Sequence, residues 1–148
     1  MKKKIFYSII ILITGIIVGR NIYLSKVTQT FSNKDIYYFI QEGVYSSKSI
    51  MEENIKNMDL KVVDELDNKY YVYLGITKDE SIAKRLKEIY ESQGYQIYIK
   101  EVSLSNEEFN NNVTQFDLLI NATTSEKEIL TIEKVVLANY EEIIKKNI

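Results

Sequence analysis

The sequence predicts an α+β domain: a four-stranded antiparallel sheet with two helices on one face, behind an N-terminal transmembrane helix and ahead of a C-terminal helical hairpin. Three observations carry that reading. Four short runs rich in tyrosine, isoleucine and valine alternate in polarity with period two. The segments between and after them repeat apolar residues at helical spacing behind serine or threonine caps. Residues 5 to 24 are almost wholly apolar and follow three lysines.

Lys2, Lys3 and Lys4 precede an uncharged apolar run over residues 5 to 19, and after Arg20 and Asn21 the apolar character resumes at Ile22, Tyr23 and Leu24. At about 1.5 Å per residue this stretch matches a hydrocarbon core of about 30 Å, with Arg20 snorkelling near the outer edge. The lysines hold the N-terminus in the cytoplasm, so the chain is expected in the cell membrane as a single-pass protein with its C-terminal domain outside. A cleaved signal peptide shares the basic start. The region after Val18 offers only Gly19 and Ser25 and no alanine, so an uncleaved anchor is expected over residues 1 to 24, and the domain is exported on either reading. Gly15 and Gly19 form a G-x-x-x-G pair that would let two such helices approach as a weak homodimer.

Residues 25 to 35 are polar and aperiodic, a tether. Residues 36 to 41 alternate as a first strand, closed by Gly43; serines 46, 47 and 49 then offer caps for a helix carrying Met51, Ile55 and Met58. Residues 60 to 66 form a second strand, Asp67-Asn68 a hairpin turn, and residues 70 to 74 a third strand ended by Gly75. Thr77 and Glu80 have capping-box spacing before Ile82, Leu86 and Ile89, and Gly94 ends that helix; residues 95 to 102 are the fourth strand. The order β-α-β-β-α-β repeats internally, since Gly43 with Ser49-Ile50 recurs thirty-two positions later as Gly75 with Ser81-Ile82. Two βαβ halves sharing one sheet make a ferredoxin-like sandwich over residues 36 to 102. Over residues 103 to 148, Ser105 and Glu108 open a helix with Phe109, Val113, Phe116 and Ile120 on one stripe. Ser125 and Glu128 open another with Ile129, Ile132, Val136, Tyr140 and Ile143, completing the hairpin.

Composition excludes much chemistry. The chain has no cysteine and no histidine, so it has no thiolate nucleophile, no Ser-His or Cys-His pair and none of the usual zinc sites. Setting aside Lys2, Lys3, Lys4 and Arg20 leaves 15 of the 19 basic residues against 21 acidic ones, a net charge of −6 beyond the anchor. A glycan hydrolase would need two carboxylates about 5 to 9 Å apart, one with a raised pKa in an apolar cleft. The acidic residues here are expected mainly on helix exteriors and at strand ends, so no enzyme, cofactor or metal is expected.

Strand parity then gives a candidate surface, because residues two apart share a face. Placing Ile36, Tyr38 and Ile40 against the helices leaves Tyr37, Phe39 and Gln41 on the other side, joined by Tyr71 and Tyr73 from the third strand and by Tyr98 and Lys100 from the fourth. Tyrosines suit pyranose rings, whose C–H faces stack and whose rims hydrogen-bond, and the Gln41 amide both donates and accepts. Two alternatives stand beside this. The helical hairpin could cover that face and make a second core, turning its rings into packing residues; or the sheet or hairpin could dock a protein partner as an adaptor. RNA-recognition motifs present aromatics on the same strands, but an exported acidic domain does not suit phosphate, so no nucleic acid is expected.

The residues from 36 to 102 resemble the SPOR (sporulation-related repeat) domain. They carry its pattern in order: Tyr38-Phe39-Ile40-Gln41-Glu42-Gly43-Val44-Tyr45 with serines following, then Tyr71-Val72-Tyr73-Leu74-Gly75, then a helix ending at Gly94-Tyr95. The resemblance implies a non-catalytic peptidoglycan-binding module that takes glycan strands stripped of stem peptides at division or sporulation septa, with division or sporulation proteins as further partners. It implies a ligand lying over the open sheet, touched by Gln41 and by third-strand residues, here Lys69 and Tyr71. The family's small polar residue three positions after the glutamine is replaced by Val44. The glycan-binding set expected on these grounds is Gln41, Phe39, Tyr37, Tyr45, Lys69, Tyr71, Tyr73 and Tyr98.

Overall fold

The computed structural model describes residues 35–146. The expected anchor, the Gly15/Gly19 pair and all of the tether except Asp35 lie outside them. Among the described residues no helix is long and apolar enough to cross a membrane. The elements are β1 (Asp35–Tyr45), α1 (Lys48–Ile55), β2 (Val62–Leu66), β3 (Lys69–Thr77), α2 (Glu80–Ser92), β4 (Tyr98–Leu104), α3 (Glu107–Asn121) and α4 (Glu126–Lys146). The class is α+β, and the four strands form one antiparallel sheet in the order β2-β3-β1-β4, which is compatible with a ferredoxin-like arrangement.

Local chemistry explains most of the boundaries. Asp67 and Asn68 turn the β2–β3 hairpin with φ of 52° and 58°, a left-handed pair that short polar side chains tolerate. Ser47 caps α1, accepting from the Ile50 N–H. The cap of α2 is Asp79, whose carboxylate accepts from the Ser81 and Ile82 N–H groups. Thr77, the expected cap, instead ends β3 and donates its hydroxyl to Asp117. Asn106 rather than Ser105 caps α3. Gly94, at φ 94°, takes the chain out of α2.

The strand β1 runs well past the expected end because it contains compensating irregularities. Its register on β3 shifts on both sides of Gln41: Ile40 faces Gly75, Gln41 faces Tyr73 and Gly43 faces Val72, so Leu74 and Glu42 are each skipped. The two shifts cancel, and pairing continues to Tyr45 opposite Tyr70.

Both faces of the sheet are packed. On one, Ile40 and Gly75 meet Leu86 of α2, and the Tyr90 hydroxyl donates to the Leu74 carbonyl at 2.8 Å. On the other lie α3 and α4. The Tyr37 ring lies 5.4 Å from that of Phe109, and Phe39 lies 5.1 Å from Tyr140 and 4.8 Å from Tyr73. The expectation that this second face is open is therefore corrected, and the alternative of a second core holds. The cause is hydrophobic: burying one large apolar side chain is worth about 1.5–3 kcal/mol. The stripes Phe109, Val113, Phe116, Ile120 and Ile129, Ile132, Val136, Tyr140 find in the aromatic sheet the surface that buries all of them.

Candidate functional site

The hairpin covers only part of the aromatic face. Tyr37 and Phe39 are 0% exposed and Tyr73 is 3% exposed, so these three expected contact residues are core residues. Their surroundings agree. The Tyr37 hydroxyl is pushed above its ordinary pKa by burial and then by the Asp35 charge, and Tyr73 by burial and then by Asp64. Tyr140 donates its hydroxyl to Asp64 at 2.8 Å, tying α4 to β2 above them.

Tyr45 is also off the surface in question. It pairs with Tyr70, and its hydroxyl is committed to the Glu42 carboxylate at 2.8 and 3.0 Å. Burial and that carboxylate raise its pKa to about 12.

What stays open is the end of the sheet around Gln41. Gln41 is flanked by Tyr98 on β4 and Tyr73 on β3, while Val44 lies opposite Tyr71. The Tyr71 ring stacks on that of Tyr73 at 6.4 Å with a 16° interplanar angle, and the Lys100 ammonium sits 4.6 Å above the Tyr71 ring. Tyr98 is 52% exposed, Lys69 and Lys100 are exposed, and Gln41 and Tyr71 are half-buried. The Gln41 Oε1 atom is buried and has no hydrogen-bond partner among the described residues. Of the expected set, the fold thus groups Gln41, Tyr71 and Tyr98 around the buried Tyr73, leaves Lys69 exposed, and buries Tyr37 and Phe39 under the hairpin, with Tyr45 committed to Glu42.

The hairpin adds something that strand parity could not supply. An open groove of about 880 Å³ runs along the sheet, with Lys100 and Val102 among its lining residues and α4 contributing Tyr140, Glu141, Ile144 and Lys145. Besides tyrosine rings and ammonium groups the groove is lined by the carboxylates of Asp64, Glu65, Glu101 and Glu141, and Gln41, Tyr71 and Tyr98 are not among its lining residues. It is suited to holding a flat, hydroxylated ligand. Among the described residues no three acids group as a metal site.

Two carboxylates depart from the expected solvated positions. Asp117 is 7% exposed and Glu133 0%. Helical spacing carries the signal for both, since each completes an apolar stripe: 113, 116, 117, 120 on α3 and 129, 132, 133, 136 on α4.

Comparison with known protein families, with curated proteins and with solved structures found no match.

Proposed function

We propose that this protein is a non-catalytic, membrane-anchored, SPOR-like protein of the cell envelope that binds peptidoglycan glycan strands at a division or sporulation septum. On this reading the ferredoxin-like sandwich is the binding module, and the ligand sits at the open end of its sheet. The observation that carries the reading is the exposed Tyr98 ring beside half-buried Gln41 and Tyr71, with the Lys100 ammonium over the Tyr71 ring, while Tyr37, Phe39 and Tyr73 are packed. Sugar C–H faces would stack on Tyr98 and Tyr71, and the exposed Lys100 ammonium would donate to a ring hydroxyl or an N-acetyl oxygen.

Sedimentation with purified cell-wall sacculi tests this, using the full-length chain in mild detergent. The chain is expected in the pellet at moderate salt, and Gln41→Ala and Tyr98→Ala are each expected to cut the bound fraction several-fold with the thermal midpoint nearly unchanged. No enrichment of the unmodified chain would overturn the proposal in favour of an extracytoplasmic adaptor. The observation favouring that second reading is apolar exposure: Leu66, which lines the groove, is 56% exposed, and Val44, opposite Tyr71, is 43% exposed.

A further inference from the structure

The strand β2 begins at Val62, opposite Tyr73, so β3 continues beyond Tyr73 with no strand partner on that side. A free strand edge inside a folded unit must have its backbone groups satisfied by other means. Here side chains do it. The Leu74 carbonyl accepts from the Tyr90 hydroxyl at 2.8 Å, the Ile76 N–H donates to Glu133 Oε2 at 2.9 Å, and the Lys78 N–H donates to Asp117 Oδ2 at 2.8 Å. The last two carboxylates belong to α4 and α3, so the hairpin is fastened to the sheet through the edge of β3.

The fastening at Glu133 has a particular chemistry. Its side chain is wholly buried and, among the described residues, its Oε1 has no partner and its one hydrogen bond comes from a neutral amide. The groups facing it are Ile76 and Gly75 of β3, Ile40 of β1, Leu86 and Tyr90 of α2, and the Asp117 carboxylate of α3. No ion pair reaches it among the described residues. Arg85 is spent on the carbonyls of Ile120 and Thr123, and the Lys78 ammonium pairs with Asp35. An ionised carboxylate there would be a desolvated, uncompensated charge beside a second acid. We propose that the α3–α4 hairpin is held on the sheet by a proton-dependent clamp: Glu133 docks on β3 as the neutral acid, and its ionisation at alkaline pH loosens the hairpin from the aromatic face.

Burial, reinforced by Asp117 and opposed by the Ile76 N–H, lifts Glu133 to about 8, and burial lifts Asp117 to about 6. Both folded values lie above those of an unfolded chain, so the native state binds more protons in between. The stabilisation is complete below the unfolded carboxyl range and is lost as pH rises toward the folded values. With no histidine and no cysteine in the chain, Glu133 is the described side chain with a shift that places its titration between pH 7 and 9. The clamp rests on this packing and is independent of what the patch at Gln41 binds.

The test is the thermal midpoint of the full-length chain as a function of pH, for the unmodified protein and for Glu133→Gln, the isostere of the neutral acid. The unmodified midpoint is expected to fall by roughly 4 °C or more between pH 6.5 and 8.5. The variant is expected to be flat above about pH 7, keeping only the slope due to Asp117 below it. An unmodified midpoint that is flat or rises over this interval, or a variant that falls equally, overturns the proposal. Should the variant not fold, the carboxyl ¹³C resonance of Glu133 in the unmodified chain decides: titration near neutrality or above supports the clamp, and titration in the ordinary glutamate range overturns it.

Discussion

A β-carbon added at Gly75 would lie 3.1 Å from Leu86 Cδ1, 3.2 Å from Glu133 Oε2 and 3.3 Å from Ile40 Cγ1. The position has no room because three elements converge on it: β1 beside it, α2 on its face and α4 at the strand edge. Gly75→Ala is therefore expected to lower stability by about 1–3 kcal/mol, the usual cost of overpacking a filled site, and urea denaturation checks it. In the sequence this glycine reads as the end of a strand, whereas it lies within β3, which runs on to Thr77. The composition of the strand was legible; the crowding was not, since nothing local distinguishes a glycine that ends a strand from one that admits a neighbour. The same limit applies to Gln41, whose face follows from parity but whose flanking register shifts depend on the pairing of a distant strand. Glu133 and Asp117 were legible in principle, because their spacing places them on the buried stripes, but residue type argues against it.

At the scale of elements, periodicity located the helices and strands of the described residues, with helix starts displaced where caps competed and with β1 and β3 running past their expected ends. Asn106 displaced Ser105, and Asp79 displaced Thr77 once the latter was claimed by Asp117. What periodicity leaves open is the surface on which an apolar stripe lands. A hairpin packed on its own partner helix and one packed on the sheet have the same heptad-like pattern, and Tyr37, Phe39 and Tyr73 alternate as an exposed row and as a buried row alike. The ring of Phe109, 5.4 Å from Tyr37 and 5.9 Å from Tyr140, is what settles the outcome. Phe109→Ala is accordingly expected to cost about 3–5 kcal/mol, a full core penalty, measured as a fall in the denaturation midpoint with little change in slope. A loss under about 1 kcal/mol would mean that α3 is a detachable cover on the sheet.

For the whole molecule, the internal repeat of thirty-two residues made the α+β class legible, because two βαβ halves without a second sheet have few ways to close. The candidate surface was legible only in half. Strand parity assigns that face a single occupant, and the fold gives it two environments: the hairpin takes the rows nearest the Asp35 end of β1, and the patch around Gln41 is left. We propose that this remainder is the glycan-binding surface. Backbone chemical-shift mapping of the full-length chain in micelles, titrated with peptidoglycan oligosaccharides lacking stem peptides, tests it most directly. The expected result is a saturable set of shifts at Gln41, Val44, Tyr71, Tyr98 and Lys100, with Tyr37, Phe39 and the amides of α3 unmoved. No shifts at saturating sugar, or shifts confined to the outer surfaces of α3 and α4, would contradict it.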